Sequence, residues 1–124
     1  MYNKVILIGR VATDLELKTT PAGASVCTFR VAVNRNYTKN GERKADFINV
    51  VTWRNTAEFV SKFFSKGKAI GVEGTVQTRD YADKDGNKRN IVEVVAGNCF
   101  FVADKKADDI EVDAPIDDSE DIPF

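Results

Sequence analysis

The chain has no histidine among its 124 residues, so it lacks the commonest general base and metal ligand. Ser25, Ser61 and Ser65 therefore have no imidazole to activate them as nucleophiles. Cysteine is almost as scarce: Cys27 and Cys99 are far apart, and neither belongs to a CxxC pair. Two thiols with no histidine are too few for a structural zinc site. Each lies in an apolar, strand-like run, so both read as small buried hydrophobes of a reducing compartment. Long apolar runs are missing too. "MYNKVILIGRVATDL" is too short in its apolar part, and too charged, for a signal peptide, and no segment reaches membrane-spanning length. These absences lead us to expect a cytoplasmic protein with no metal, no cofactor and no catalytic residue.

One acidic turn keeps an enzyme reading in play. "DKDG" (Asp83–Gly86) begins like a calcium loop, but the pattern then wants Gly at 88, which is Lys, and Glu at 94, which is Val. An Asp-Gly hairpin turn accounts for it better. The rival from another functional class is a metal-dependent nuclease using carboxylates such as Asp83 and Asp85.

What the chain does have is charge sorted by position. Residues 1–103 carry 16 Lys and Arg against 10 Asp and Glu, a balance of +6, whereas residues 104–124 carry 2 against 9, a balance of −7. The overall −1 hides a basic body that suits a polyanion and an acidic extension that suits something else. We read residues 1–103 as one domain and residues 104–124 as a disordered tail.

Within the body, Lys4–Val11 is a short apolar run compatible with a buried strand, and Pro21-Ala22-Gly23 marks a turn. "SVCTFRVAVNRN" alternates, with Cys27, Phe29, Val31 and Val33 on one face. A basic loop around Asn40-Gly41 leads to a third strand, Phe47–Trp53. "NTAEFVSKFFSKG" is the one helix: Asn55 is its expected N-cap, Glu58 completes a near capping box, and Gly67 is its stop. Ala57, Val60 and Phe64 form its apolar stripe. The fourth strand, "AIGVEGTVQTRDY", contains Gly71 and Gly74 as candidate bends or bulges, and Ile91–Ala103 is the fifth. Three strands, a short helix, then two strands is the order of an OB-fold, an all-β five-stranded Greek-key barrel with the helix between strands three and four.

The strands also show where a ligand would lie. Phe47, Asn49, Val51 and Trp53 project to one face of the third strand, opposite Ile48, Val50 and Thr52. On the fourth strand Glu73, Thr75, Gln77, Arg79 and Tyr81 lie opposite Ile70, Val72, Gly74 and Val76. Tyr37 stands at the mouth of the basic loop among Arg35, Lys39, Arg43 and Lys44. Aromatic rings beside Arg and Lys are what a single-stranded nucleic acid requires, because every base offers a π-face and every nucleotide a phosphate. The plainer readings place Trp53 or Phe47 in the core and leave each Lys as a solvated surface charge.

"NKVILIGRV", "TPAGASVCTFRVAVNRNY", "FINVVTWRNTAEFVSKFFSKGKAIGVEGTVQTRDY", "DKDGNKRNIVEVV" and a terminal "DIPF", in this order, resemble the bacterial-type single-stranded DNA-binding protein family, SSB. The resemblance covers roughly residues 2–103 and the last few. It implies an OB-fold that assembles as a homotetramer with single-stranded DNA wrapped around it. It further implies base stacking at Tyr37, Phe47, Trp53 and Tyr81, and basic contacts at Lys4, Arg79 and Lys66. Arg35 and Lys39 join these from the basic loop. The family's tryptophans are mostly replaced here, by Tyr37, Phe47 and Tyr81, while Trp53 stands where those members have Phe. Asn49 and Asn55 stand where some members carry a basic residue, so those contacts are not carried over. A primosomal OB-fold accessory protein or a phage-borne SSB is the nearest alternative.

The resemblance also explains the tail. The family's acidic tip docks on DNA replication, recombination and repair proteins. Here Phe124 would fill an apolar pocket with its terminal carboxylate on a basic residue, while Asp117, Asp118, Glu120 and Asp121 meet a basic rim. Ile122 and Pro123 complete the tip, and Pro123 stiffens the approach. A tail made only for solubility would explain the acids but not the terminal ring. Only "DKKADDIEVDAPI" separates tip from body, a reach of at most roughly 45 Å.

Overall fold

A computed structural model describes residues 1–39 and 41–103, with backbone alone at 37–39, 42 and 43. Seven elements follow one another: β1 (Val5–Val11), β2 (Lys18–Thr19), β3 (Ser25–Lys39), β4 (Glu42–Trp53), α1 (Arg54–Phe63), β5 (Ala69–Ala82) and β6 (Lys88–Phe101). The sheet runs β1-β5-β6-β4-β3-β2, and β1 pairs again with β3 through Arg10–Ala32 and Val11–Val31, which closes the barrel. All pairings are antiparallel except β4–β6. This is the expected OB-fold, with α1 between the third and fourth barrel strands. The two-residue β2, paired with β3 at Val26 and Ser25, adds a sixth strand to the five expected. It is too short to leave any periodicity in the sequence.

The barrel is filled from the alternating faces. Cys27, Phe29 and Val31 of β3, Val50 of β4, Ile70 and Val72 of β5, and Val94 and Cys99 of β6 are all buried. Burying apolar surface of this kind is worth roughly 25 cal/mol per Å², and it sets the register, because a slip of one residue would turn every side chain to solvent. Burial also raises the thiol pKa of Cys27 and pushes that of Cys99 up to about 12, so both behave as inert core atoms.

Close approach explains two glycines. A Cβ on Gly9 would collide with the Ala32 carbonyl oxygen where β1 closes onto β3, and one on Gly74 would collide with the Val95 carbonyl. The β5–β6 register shifts between Glu73, paired with Asn98, and Gly74, paired with Ala96, so the extra residue of the bulge is Gly97 of β6, opposite Gly74 rather than in β5.

Three sequence expectations need correction. The helix begins at Arg54, not after Asn55: extended Trp53 flanks it with no side-chain cap, and Arg54 itself adopts a left-handed φ of 55°. Glu58 accepts a 3.2 Å hydrogen bond from the Ser25 hydroxyl, a tertiary contact rather than a capping box. At the other end the helix stops at Phe63, and Gly67, with φ 93°, serves the turn that follows, donating its N–H to the Val11 carbonyl at 2.7 Å. The period of β5 puts Val76 on the core face with Ile70 and Val72, but it is 37% exposed, because β5 beyond its first half runs out of the barrel with β6 as a two-stranded arm. The helix stripe stands as read: Ala57, Val60 and Phe64 are buried. The acidic tail, 104–124, lies outside the described residues.

Candidate nucleic-acid interface

Alternation on β4 decides what the outer face displays. Thr52 and Val50 point inward and are buried, so Trp53 and Phe47 must point out, where they are 42% and 56% exposed. Between them on the same face are Val51 and Asn49. Tyr81, in the β5–β6 arm, is 45% exposed. Exposing such rings to water is unfavourable unless something covers them.

β4 and β5 also line a groove of about 400 Å³, whose lining includes Thr28 and Arg30 of β3, Asn49 of β4, Arg79 of β5, and Ile91 and Glu93 of β6; Phe47, Trp53 and Tyr81 are not among its lining residues. Arg30 and Asn49 are register partners, and the Arg30 Nε donates to the Asn49 Oδ1 at 3.2 Å. Of the expected contacts, Arg79 lines the groove, and Phe47 and Trp53 sit on β4, one of the strands that line it. Lys4 and Lys66 are not in its lining; Lys4 precedes β1 and Lys66 lies in the turn after α1. Tyr37 and Lys39 fall in the β3–β4 arm, and their side chains lie outside the described residues.

The cations here come with carboxylates. Lys4 lies 2.6 Å from Glu73 of β5, Arg35 holds Asp46 across the β3–β4 arm at 2.9 Å, and Arg79 holds Glu93 at 3.1 Å. The hydrogen bond from Lys4 lowers the Glu73 pKa and raises that of Lys4, and the hydrogen bond from Arg35 lowers the Asp46 pKa. The Arg79 pKa is raised by its hydrogen bond to Glu93. Among the groove residues, Arg30 and Glu93 were not singled out in the sequence. The available signal was an acid within the apolar run Ile91–Val95 and an Arg on the outward face of β3.

At the tip of the β5–β6 arm, the Asp83 Oδ1 accepts the backbone N–H of Asp85 and of Asn87 at 2.9 Å, and Oδ2 takes the Arg89 Nε at 3.0 Å. Gly86 has φ 83°. Asp83 is spent on an Asp-Gly turn.

The sequence pattern of the single-strand binding protein family matches residues 2–102. The chain is 52% identical over 106 residues to single-stranded DNA-binding protein 2 of Listeria monocytogenes, covering 85% of this chain and 66% of that one. It is 49% identical over 106 residues to single-stranded DNA-binding protein A of Bacillus subtilis, again over 85% of this chain but 62% of the relative. The chain thus spans less than two thirds of the length of these two relatives. Among solved structures, a Plasmodium falciparum SSB in complex with ssDNA superposes with a TM-score of 0.73 at 27% identity, covering 83% of this chain and 96% of that one. The chain belongs to the single-strand binding protein family.

Proposed function

We propose that this protein binds single-stranded DNA without reading its sequence, by stacking bases on Phe47, Trp53, Tyr81 and Tyr37 and by balancing phosphate charge with the basic residues around them. The observation that carries this reading is the outward placement of Phe47 and Trp53 on β4 and of Tyr81 on β5, strands that also line a groove holding Arg30, Asn49, Arg79 and Glu93. Stacking tolerates any base, and a duplex hides the π-faces, so preference for single strands follows. Lys4, Arg35, Lys39 and Lys66 are the proposed phosphate-side residues, and Arg79 is the proposed DNA contact within the groove itself. The solved Plasmodium relative is a complex with ssDNA, which supports the same assignment.

In this reading residues 1–103 are the DNA-binding domain, and 104–124 form a tail whose tip, Asp117 to Phe124, recruits replication, recombination and repair proteins. The protein works in the cytoplasm, on the nucleoid, as a homotetramer. The outward Ile6 and Ile8 of β1, 61% and 57% exposed, give such an assembly an apolar surface. No helix among the described residues is long and apolar enough to cross a membrane.

The single tryptophan provides the test. Oligo-dT should quench Trp53 fluorescence strongly, with an affinity that weakens as salt rises, and a duplex of equal length should not. Absence of both quenching and a mobility shift with oligo-dT would overturn the assignment.

A further inference from the structure

Arg79 is not an unengaged cation. Its Nε donates to the Glu93 Oε1 at 3.1 Å and its Nη2 to the Oε2 at 3.4 Å, a side-on fork. Glu93 is no ordinary surface acid either. Its side chain is 10% exposed against 57% for that of Arg79, so the carboxylate lies beneath the guanidinium on the groove floor. β6 fixes it there: the next residue, Val94, points into the core and is register-paired with Val50 of β4. A carboxylate this deep is costly without a cation beside it, so the pair should persist whether or not a ligand occupies the groove.

We propose that Glu93 is a built-in counter-ion that withdraws Arg79 from phosphate neutralisation and holds its guanidinium flat as a platform for a base. The proposal rests on the groove being the single-stranded DNA surface. Salt weakens nucleic-acid binding because protein cations displace ions condensed on phosphates. A pair with no net charge displaces none. Arg79 nevertheless keeps a side chain that is 57% exposed, and a guanidinium plane stacks on rings as an ammonium cannot. Arg79 thus contributes to contact while adding little to salt dependence.

The test measures affinity of the full chain for an oligo-dT of about ten nucleotides, near the span of one OB domain, across a salt series. E93Q frees the cation, so the slope of log K against log salt should steepen by about 0.7, equivalent to roughly 2.6-fold more affinity lost between 50 and 200 mM salt. The double variant R79Q/E93Q removes both charges and leaves no buried ion unpaired. It should bind more weakly at every salt concentration with the wild-type slope. An unchanged slope for E93Q, or a double variant flattened by about 0.7, would overturn the proposal. If E93Q fails to fold by circular dichroism, the double variant decides alone. A wild type that does not bind oligo-dT would overturn the DNA-binding reading itself, a result distinct from any change of slope.

Discussion

The Thr52 hydroxyl donates a 2.7 Å hydrogen bond to the Cys27 backbone carbonyl, joining β4 to its register partner in β3 inside the barrel wall. Thr52 is fully buried and Cys27 nearly so. The bond satisfies a polar side chain that would otherwise be costly to bury, and holding Thr52 inward turns Trp53 outward. Thr52→Val keeps the shape but removes the donor, and should cost about 1 kcal/mol. Thr52→Ala should cost more, because a cavity is left as well. Urea unfolding followed by circular dichroism would read both, as a lower midpoint with an unchanged slope.

Acid should weaken the fold through three carboxylates. Asp83, Asp46 and Glu73 all titrate below their ordinary values of 3.8, 3.8 and 4.5, held by the Asn87 backbone N–H and Arg89, by Arg35, and by Lys4 respectively. For a group with a depressed folded pKa, the contribution is complete above the unfolded value and disappears as pH falls through the folded one. The melting temperature should therefore be flat near neutrality and drop progressively below about pH 4.5. E73Q should shift part of that drop. An E73Q chain with the wild-type acid profile would remove the Lys4–Glu73 pair from the account.

Arg54 carries a cost of its own. Its φ of 55° is left-handed, which costs a residue with a Cβ roughly 1–2 kcal/mol. Its charge also sits at the positive end of the α1 dipole. Arg54→Gly removes both penalties and should stabilise the chain by about 1 kcal/mol. Arg54→Ala removes only the charge and should gain less. Equal melting temperatures for the two variants would mean that the backbone conformation costs nothing.

The alternation of Cys27, Phe29 and Val31 and the stripe of Ala57, Val60 and Phe64 made the strands, the helix and their order legible from the chain alone, because each buries one regular face. The helix start was not legible. Asn55 is the better cap by local chemistry, but the turn out of β4 places Arg54 in the first helical position. Val76 obeys the strand period yet finds nothing to pack on, since the arm leaves the barrel. The aromatic face of β4 followed from period two once its inward residues were known. The ion pairs did not: sequence gives the charge of Lys4, Arg79, Glu73 and Glu93 but not which barrel strands bring them together.

The tail offers a prediction from charge alone. A −7 segment tethered to a +6 body is expected to compete with DNA for the same basic surface. Deleting residues 117–124 should tighten binding of oligo-dT at low salt, and the gain should shrink as salt screens the competition. Unchanged affinity at low salt would show that the tip does not occupy the groove.

Stacking and charge are separable at Phe47 and Tyr81. Both rings are about half exposed, so truncating either should leave stability nearly unchanged. Loss of a stacked base should cost about 1–3 kcal/mol, or roughly 5- to 150-fold in affinity. Neither ring carries charge, so the salt slope should stay at its wild-type value in Phe47→Ala and Tyr81→Ala while the whole line drops. Lys66→Ala should do the opposite if that residue meets phosphate, flattening the slope by about 0.7 with little loss at high salt. A ring variant that binds as tightly as wild type would remove that ring from the interface, and a ring variant that alters the slope would mean the truncation had displaced neighbouring cations.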